Sequence, residues 1–80
     1  MSTQDAVTNI IAASTQLSPA AMPVMRSWLR EQSGGAVSDI CPNQLSAWLS
    51  RLRPDQIRSE HDWALQQVNY LAYLLPQFKK

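Results

Sequence analysis

The chain carries little with which to do covalent chemistry. Its 80 residues include one cysteine, Cys41, and one histidine, His61. A single cysteine makes no internal disulfide, so the fold stands without a disulfide framework and a reducing, cytoplasmic setting is the simpler one. Two soft ligands fall short of the four that a structural zinc site uses, so no metal is expected. The only glycines, Gly34 and Gly35, are adjacent and no lysine follows them as in a phosphate-cradling loop, so no cofactor is expected either. Charge is also scarce. Charged residues make up 16% of the chain against a usual quarter, and the net charge is +1, well short of the basic excess of a dedicated nucleic-acid binder. The most apolar segment, Val68 to Leu75, is interrupted by Asn69 and is far shorter than the ~20 residues of a membrane span, so no membrane partner is expected. The opening MSTQDAVTNIIAASTQ lacks a basic start followed by an apolar run and does not read as a secretory signal.

What remains is the composition of a small folded domain. Apolar residues are 45% of the chain, and an ordinary apolar content with little charge is not the composition of a disordered protein. A single domain of this size buries only about 60–65% of its unfolded surface. Such a thin core is often completed by self-association or by a partner.

Apolar spacing and punctuation divide the chain into helices. Ser2 and Asp5 form a capping box, and Ala6, Val7, Ile10 and Ile11 follow at helical spacing, predicting a helix over 3–16. Ser18-Pro19 opens a second, over 19–32, with Pro23 requiring either a loose turn at 19–22 or a kink. Its apolar side holds Met22, Met25, Trp28 and Leu29; Arg26, Arg30 and Glu31 take the other. Ser33-Gly34-Gly35 ends it. Pro42 at a helix start and Pro54 at its end bracket a third helix over 42–53, with a stripe of Leu45, Trp48, Leu49 and Leu52. Pro54 to Ile57 reads as a single turn. Ser59 and Asp62 then form another capping box, opening the longest helix over 60–75 on a stripe of Ala64, Val68, Leu71 and Leu75. Pro76 sets its end, leaving Phe78-Lys79-Lys80 as a frayed tail. No segment alternates as a strand does. The expectation is an all-α fold, a compact single-domain bundle of about four helices with short loops.

Catalysis finds no constellation. Ser59, His61 and Asp62 include the residue types of a hydrolase triad, but within one helical turn they point in different directions. They read as two caps and a solvated first-turn histidine. Cys41 lacks a visible third orienting group with His61, and reads as a small apolar residue. Tyr70 and Tyr73 read as core-edge residues, apolar in body and wet at the hydroxyl. The protein is therefore expected not to be an enzyme.

Two binding surfaces present themselves. Three tryptophans, three methionines and few charges give adaptable apolar surface of the kind enriched at interfaces, with Met22, Met25 and Trp28 the preferred protein-binding patch. The second is the polar side of helix 42–53: Asn43, Gln44, Ser46, Ala47 and Ser50 carry groups that pair with base edges, and Arg51 and Arg53 suit phosphates. The run Ile40 to Leu49, ICPNQLSAWL, resembles the turn and recognition helix of repressor-type and transposase-type helix-turn-helix proteins. That resemblance implies a DNA-binding regulator with base contacts from Asn43, Gln44, Ser46 and Ala47. The leading expectation is a protein-binding adaptor, inhibitor or assembly factor, acting on another protein or on a second copy of itself. By analogy of size it suits a bacterial or phage accessory protein.

Overall fold

The computed structural model describes residues 2–78, with side chains described as far as Leu74. Four helices and no strand occur among the described residues: α1 (Thr3–Ser14), α2 (Met22–Gln32), α3 (Pro42–Leu49) and α4 (Pro54–Phe78). The protein is an all-α single domain. Lys79 and Lys80, and the side chains of Leu75 and Phe78, lie outside what is described.

Each helix begins and ends for a local reason. In α1 the Ser2 hydroxyl accepts from the Asp5 N–H at 3.2 Å, satisfying one of the free donors of the first turn. The Ser18 hydroxyl likewise accepts from the Ala21 N–H, at 3.3 Å, but it caps only a turn over residues 19–21. Pro23 takes one of the first positions of α2, where its missing N–H costs nothing. The loose turn, not the kink, resolves the Pro19/Pro23 conflict. At the far end of α2, Gly35 N–H donates to the Arg30 carbonyl at 2.8 Å and Gly34 N–H to that of Glu31 at 3.3 Å. This paired closure needs a left-handed residue after the cap, and Gly34 supplies it at φ +67°.

The third and fourth helices differ from the expected 42–53 and 60–75. α3 stops at Leu49, because the chain tightens into a turn in which Arg51 N–H donates to Trp48 and Leu52 N–H to Leu49. Pro54 then starts α4 at once, and Gln56 Oε1 reaches back to accept from the Arg53 N–H at 3.1 Å. This is half of a capping box, set six residues earlier than the one expected at Ser59 and Asp62. Those two residues are exposed and lie within the helix. α4 also runs through Pro76 to Phe78. The φ of proline is itself helical, so near a helix end the ring costs a single hydrogen bond and local crowding rather than the helix.

α4 is the spine. Its 25 residues span about 37 Å at 1.5 Å per residue, most of the molecule's 42 Å long dimension. α1 and α2 both pack on α4, and α3 packs on α1, giving the contact order α3–α1–α4–α2. The core lies along these seams: Ala6, Val7 and Ile10 of α1; Met25 and Leu29 of α2; Leu45, Trp48 and Leu49 of α3; Ile57, Ala64, Val68 and Leu71 of α4. Val37, from the loop between α2 and α3, is fully buried with them.

His61 belongs to this interior. It falls on the stripe Ile57, His61, Ala64, Val68, Leu71, which recurs every three or four residues, and is 3% exposed. The expected solvated first-turn histidine is corrected by the earlier start of α4, which moves residue 61 from the first turn to the third.

Candidate binding surfaces

α2 has a buried side and two open flanks. Met25 and Leu29 point into the core, and Met22 is partly buried against it. Met25 therefore presents nothing to a partner, contrary to its place in the expected interface patch. Its spacing of four from Leu29 makes it the centre of the helix's buried side. Trp28, one residue round from Leu29, stands at the edge: half-buried, packed on the core, and open on one side.

The first flank faces α4. The Trp28 and Tyr70 rings are 6.2 Å apart between centroids, tilted by 41°, within the range of favourable aromatic pairs. Tyr70 is nevertheless 53% exposed, and Tyr73, one turn further along α4, is 72% exposed. Tyr73 is thus no core-edge residue. Val24, one turn before Trp28, is also exposed. At the opposite end of the same seam, Gln32 Nε2 donates to Glu60 Oε2, tying the close of α2 to the opening turns of α4. The result is a patch of Val24, Trp28, Tyr70 and Tyr73 on the two helices.

The second flank faces the loop that follows. Arg26 Nε donates to Asp39 Oδ1 at 2.8 Å, and the same carboxylate oxygen accepts from the Ile40 N–H at 2.7 Å. Gln44 Oε1 accepts from the Ser38 N–H (2.8 Å), the Ser38 hydroxyl (3.2 Å) and the Asp39 N–H (3.0 Å). Further back, Val37 N–H donates to the Ser33 hydroxyl at 2.9 Å. The loop from Ser33 to Cys41 is thereby pinned at both ends by side chains. Between it and α2 lies an open cleft of about 250 Å³ lined by Pro23, Arg26, Ser27, Arg30 and Ser38.

The polar side of α3 is divided by these duties. Gln44 is half-buried with its amide oxygen occupied by the loop, and the Ser50 hydroxyl donates to the Ser46 carbonyl at 2.6 Å. Asn43, Ala47 and Ser50 are exposed on the helix or at its close, and Ser46 is half-buried. Arg51 and Arg53 are exposed but lie beyond the end of α3; Arg53 sits beside Asp55, Nε to Oδ1 3.7 Å, at the start of α4. The seven residues do not share one helical face. In a helix-turn-helix, two helices joined by a turn of three or four residues pack on each other. Here α2 and α3 are joined by the longer loop and stand at opposite ends of the packing order.

The residue types of a triad are dispersed in the same way. Ser59 and Asp62 are exposed while His61 is buried, with Nδ1 3.5 Å from Asp62 Oδ1 and neither ring nitrogen hydrogen-bonded. Cys41 is a free thiol, half-buried, at the cap position of α3, and makes no side-chain capping bond. No three His, Cys, Asp or Glu side chains gather as metal ligands among the described residues. No described helix is long and apolar enough to cross a membrane. A wider open cleft of about 590 Å³ between α1 and α4 is lined by Asp5, Thr8, Asn9 and Arg58. Both signs of charge meet there, so it favours no one class of ligand.

Compared with protein families, with curated proteins and with solved structures, the chain matches none.

Proposed function

We propose that the protein works by binding another protein, as an adaptor, inhibitor or assembly factor, and carries out no catalysis of its own. One observation carries this reading: Tyr70 and Tyr73, one turn apart on α4, are largely exposed, and Tyr70 stands beside the Trp28 ring. Tyrosine and tryptophan dominate binding energetics because they bring large apolar area with few torsions to freeze. From Trp63 to Phe78 the sequence of α4 has no charged residue, so a partner docking there has no ion to desolvate. A second copy of the chain is the simplest partner. A two-fold contact sets a surface against itself, and this one opposes no like charges. The free thiol of Cys41 suits a cytoplasmic setting.

The test is sedimentation of the purified chain, together with capture of bound protein, for wild type and for Tyr70→Ser/Tyr73→Ser. Both tyrosines are mostly exposed, so the fold is expected to survive, as circular dichroism would verify. Association is expected to weaken by about tenfold or more. A double variant that sediments and captures like wild type would sink the reading.

DNA binding through α3 is the second reading, favoured by the exposure of Asn43, Ala47, Ser50, Arg51 and Arg53. It requires duplex binding at about 50 mM salt that falls steeply as salt is raised and weakens in Arg51→Ala and Arg53→Ala. Tyr73→Ser would leave such binding unchanged, which separates the two readings.

A further inference from the structure

We propose that the cleft on the arginine flank of α2 is an oxyanion site that takes a phosphoryl group. Arg26, Ser27 and Arg30 are helical neighbours: positions four and three apart lie side by side on one face. All three side chains are donors into the cleft space that they line with Pro23 and Ser38.

Arg26 is held in place before any ligand arrives. Its Nε–H is taken by Asp39 Oδ1, and that oxygen is itself fixed by the Ile40 N–H. A guanidinium has five N–H groups, so the terminal Nη pair is left without an acceptor among the described residues. Arg30 is exposed and has no carboxylate within ion-pair distance among the described residues. The opposite wall is no less fixed, because Gln44 Oε1 gathers both backbone N–H groups of residues 38 and 39. Ordering two arginines is the usual entropic cost of binding an anion at a surface; for Arg26 the exposed pair with Asp39 offsets a part of it.

The donor set selects the ligand. Arg26, Arg30 and the Ser27 hydroxyl offer three separate donor groups, and the one acid within ion-pair distance of either arginine among the described residues, Asp39, leaves the pair with excess positive charge. A phosphoryl group brings three strong acceptor oxygens and up to two negative charges, whereas a carboxylate brings two oxygens and one charge. Size agrees with a head group rather than a nucleotide: the cleft holds about 250 Å³, below the roughly 300–1,000 Å³ of sites that enclose whole small molecules. This site lies on the flank opposite the aromatic patch and does not depend on the protein-binding reading.

The experiment is a titration of the full chain with inorganic phosphate, followed by amide and arginine Nε–H resonances, with sodium acetate at matched ionic strength as the carboxylate arm. Saturable shifts confined to Arg26, Ser27, Arg30 and Ser38, at least tenfold weaker with acetate and at least tenfold weaker in Arg30→Gln, are the expected result. Arg30 is exposed, so Arg30→Gln leaves the fold intact, and the unshifted remainder of its spectrum verifies this. Tyr73→Ser is expected to bind phosphate as wild type does. Equal response to acetate, equal shifts at Arg51 and Arg58, or indifference to Arg30→Gln would each overturn the proposal. O-phosphoserine in a final arm assigns the source. Tighter binding than phosphate points to a phosphorylated side chain, and weaker binding to the free ion.

Discussion

On one flank of α2, Trp28 leans on Tyr70 and Gln32 donates to Glu60; on the other, Asp39 holds Arg26 while Arg30 stands free. Both flanks hang on the same eleven-residue helix, yet they are built by different means. The aromatic flank is made by two regular helices in contact, so packing sets most of it, with the Gln32–Glu60 hydrogen bond at one end. The arginine flank is made by a helix and an irregular loop, so it depends on hydrogen bonds that fix the loop. An exposed ion pair such as Arg26–Asp39 is worth about 1 kcal/mol or less and weakens with salt. Apolar contact is nearly indifferent to salt. The second flank should therefore be the more easily loosened of the two.

The strongest challenge to that contrast is to remove what the flanks share. Leu29 is fully buried between them, and Leu29→Ala is expected to cost about 2–5 kcal/mol, a large part of what an 80-residue domain has to lose. Urea unfolding should show the loss as a lower midpoint with an unchanged slope, and both flanks should fail together. Survival of either flank after unfolding of the other would break the comparison.

A gentler change separates them. Gly34 lies at φ +67°, and a Cβ there would meet no atom within 4 Å. Gly34→Ala thus adds backbone strain without a clash, about 1–2 kcal/mol. The strain falls on the loop that walls the arginine cleft. Hydrogen exchange at Val37, Ser38 and Asp39 is expected to quicken, while Trp28 fluorescence beside Tyr70 stays as it was.

The smallest effect is expected at His61→Leu. Both ring nitrogens are buried without a hydrogen bond, the nearest carboxylate oxygen being that of Asp62 at 3.5 Å from Nδ1, a cost of roughly 1–3 kcal/mol to the native state. An apolar side chain of similar size removes that cost and introduces some misfit, leaving stability unchanged or raised by about 1 kcal/mol. A melting temperature that falls by many degrees would mean that the imidazole has a partner in solution.

The reach of the sequence can be judged element by element. Ser2, Pro42 and the Ser33-Gly34-Gly35 stop act through neighbours in the chain, and the structure places helix ends at each of them. The start of α4 is different, because two sound local signals compete: the pair Ser59 and Asp62, and Pro54 with Gln56. Ile57 decides between them by being buried, and only tertiary packing supplies that. His61 was misread with it: a start at residue 60 makes it a solvated first-turn residue, whereas the stripe through Ala64, Val68 and Leu71, run back to Ile57, buries it. Gln44 was not legible. Its polar amide looks available for a base edge until the fold brings Ser38 and Asp39 onto it. Nor does spacing reveal the cleft, which pairs the polar side of α2 with a loop whose path follows no period.

The packing order also has a consequence in time. α1 rests chiefly on α4 and α3, so the first helix of the chain finds its main neighbour only in the last. During synthesis, at ~5–20 residues per second, α1 emerges ahead of both its neighbours and waits seconds for α3 and then α4 to follow. Helical proteins usually fold fast because their contacts are local. Here the principal seam joins distant parts of the chain. Closure should be correspondingly late, with α1 and α4 docking as the step that completes the core.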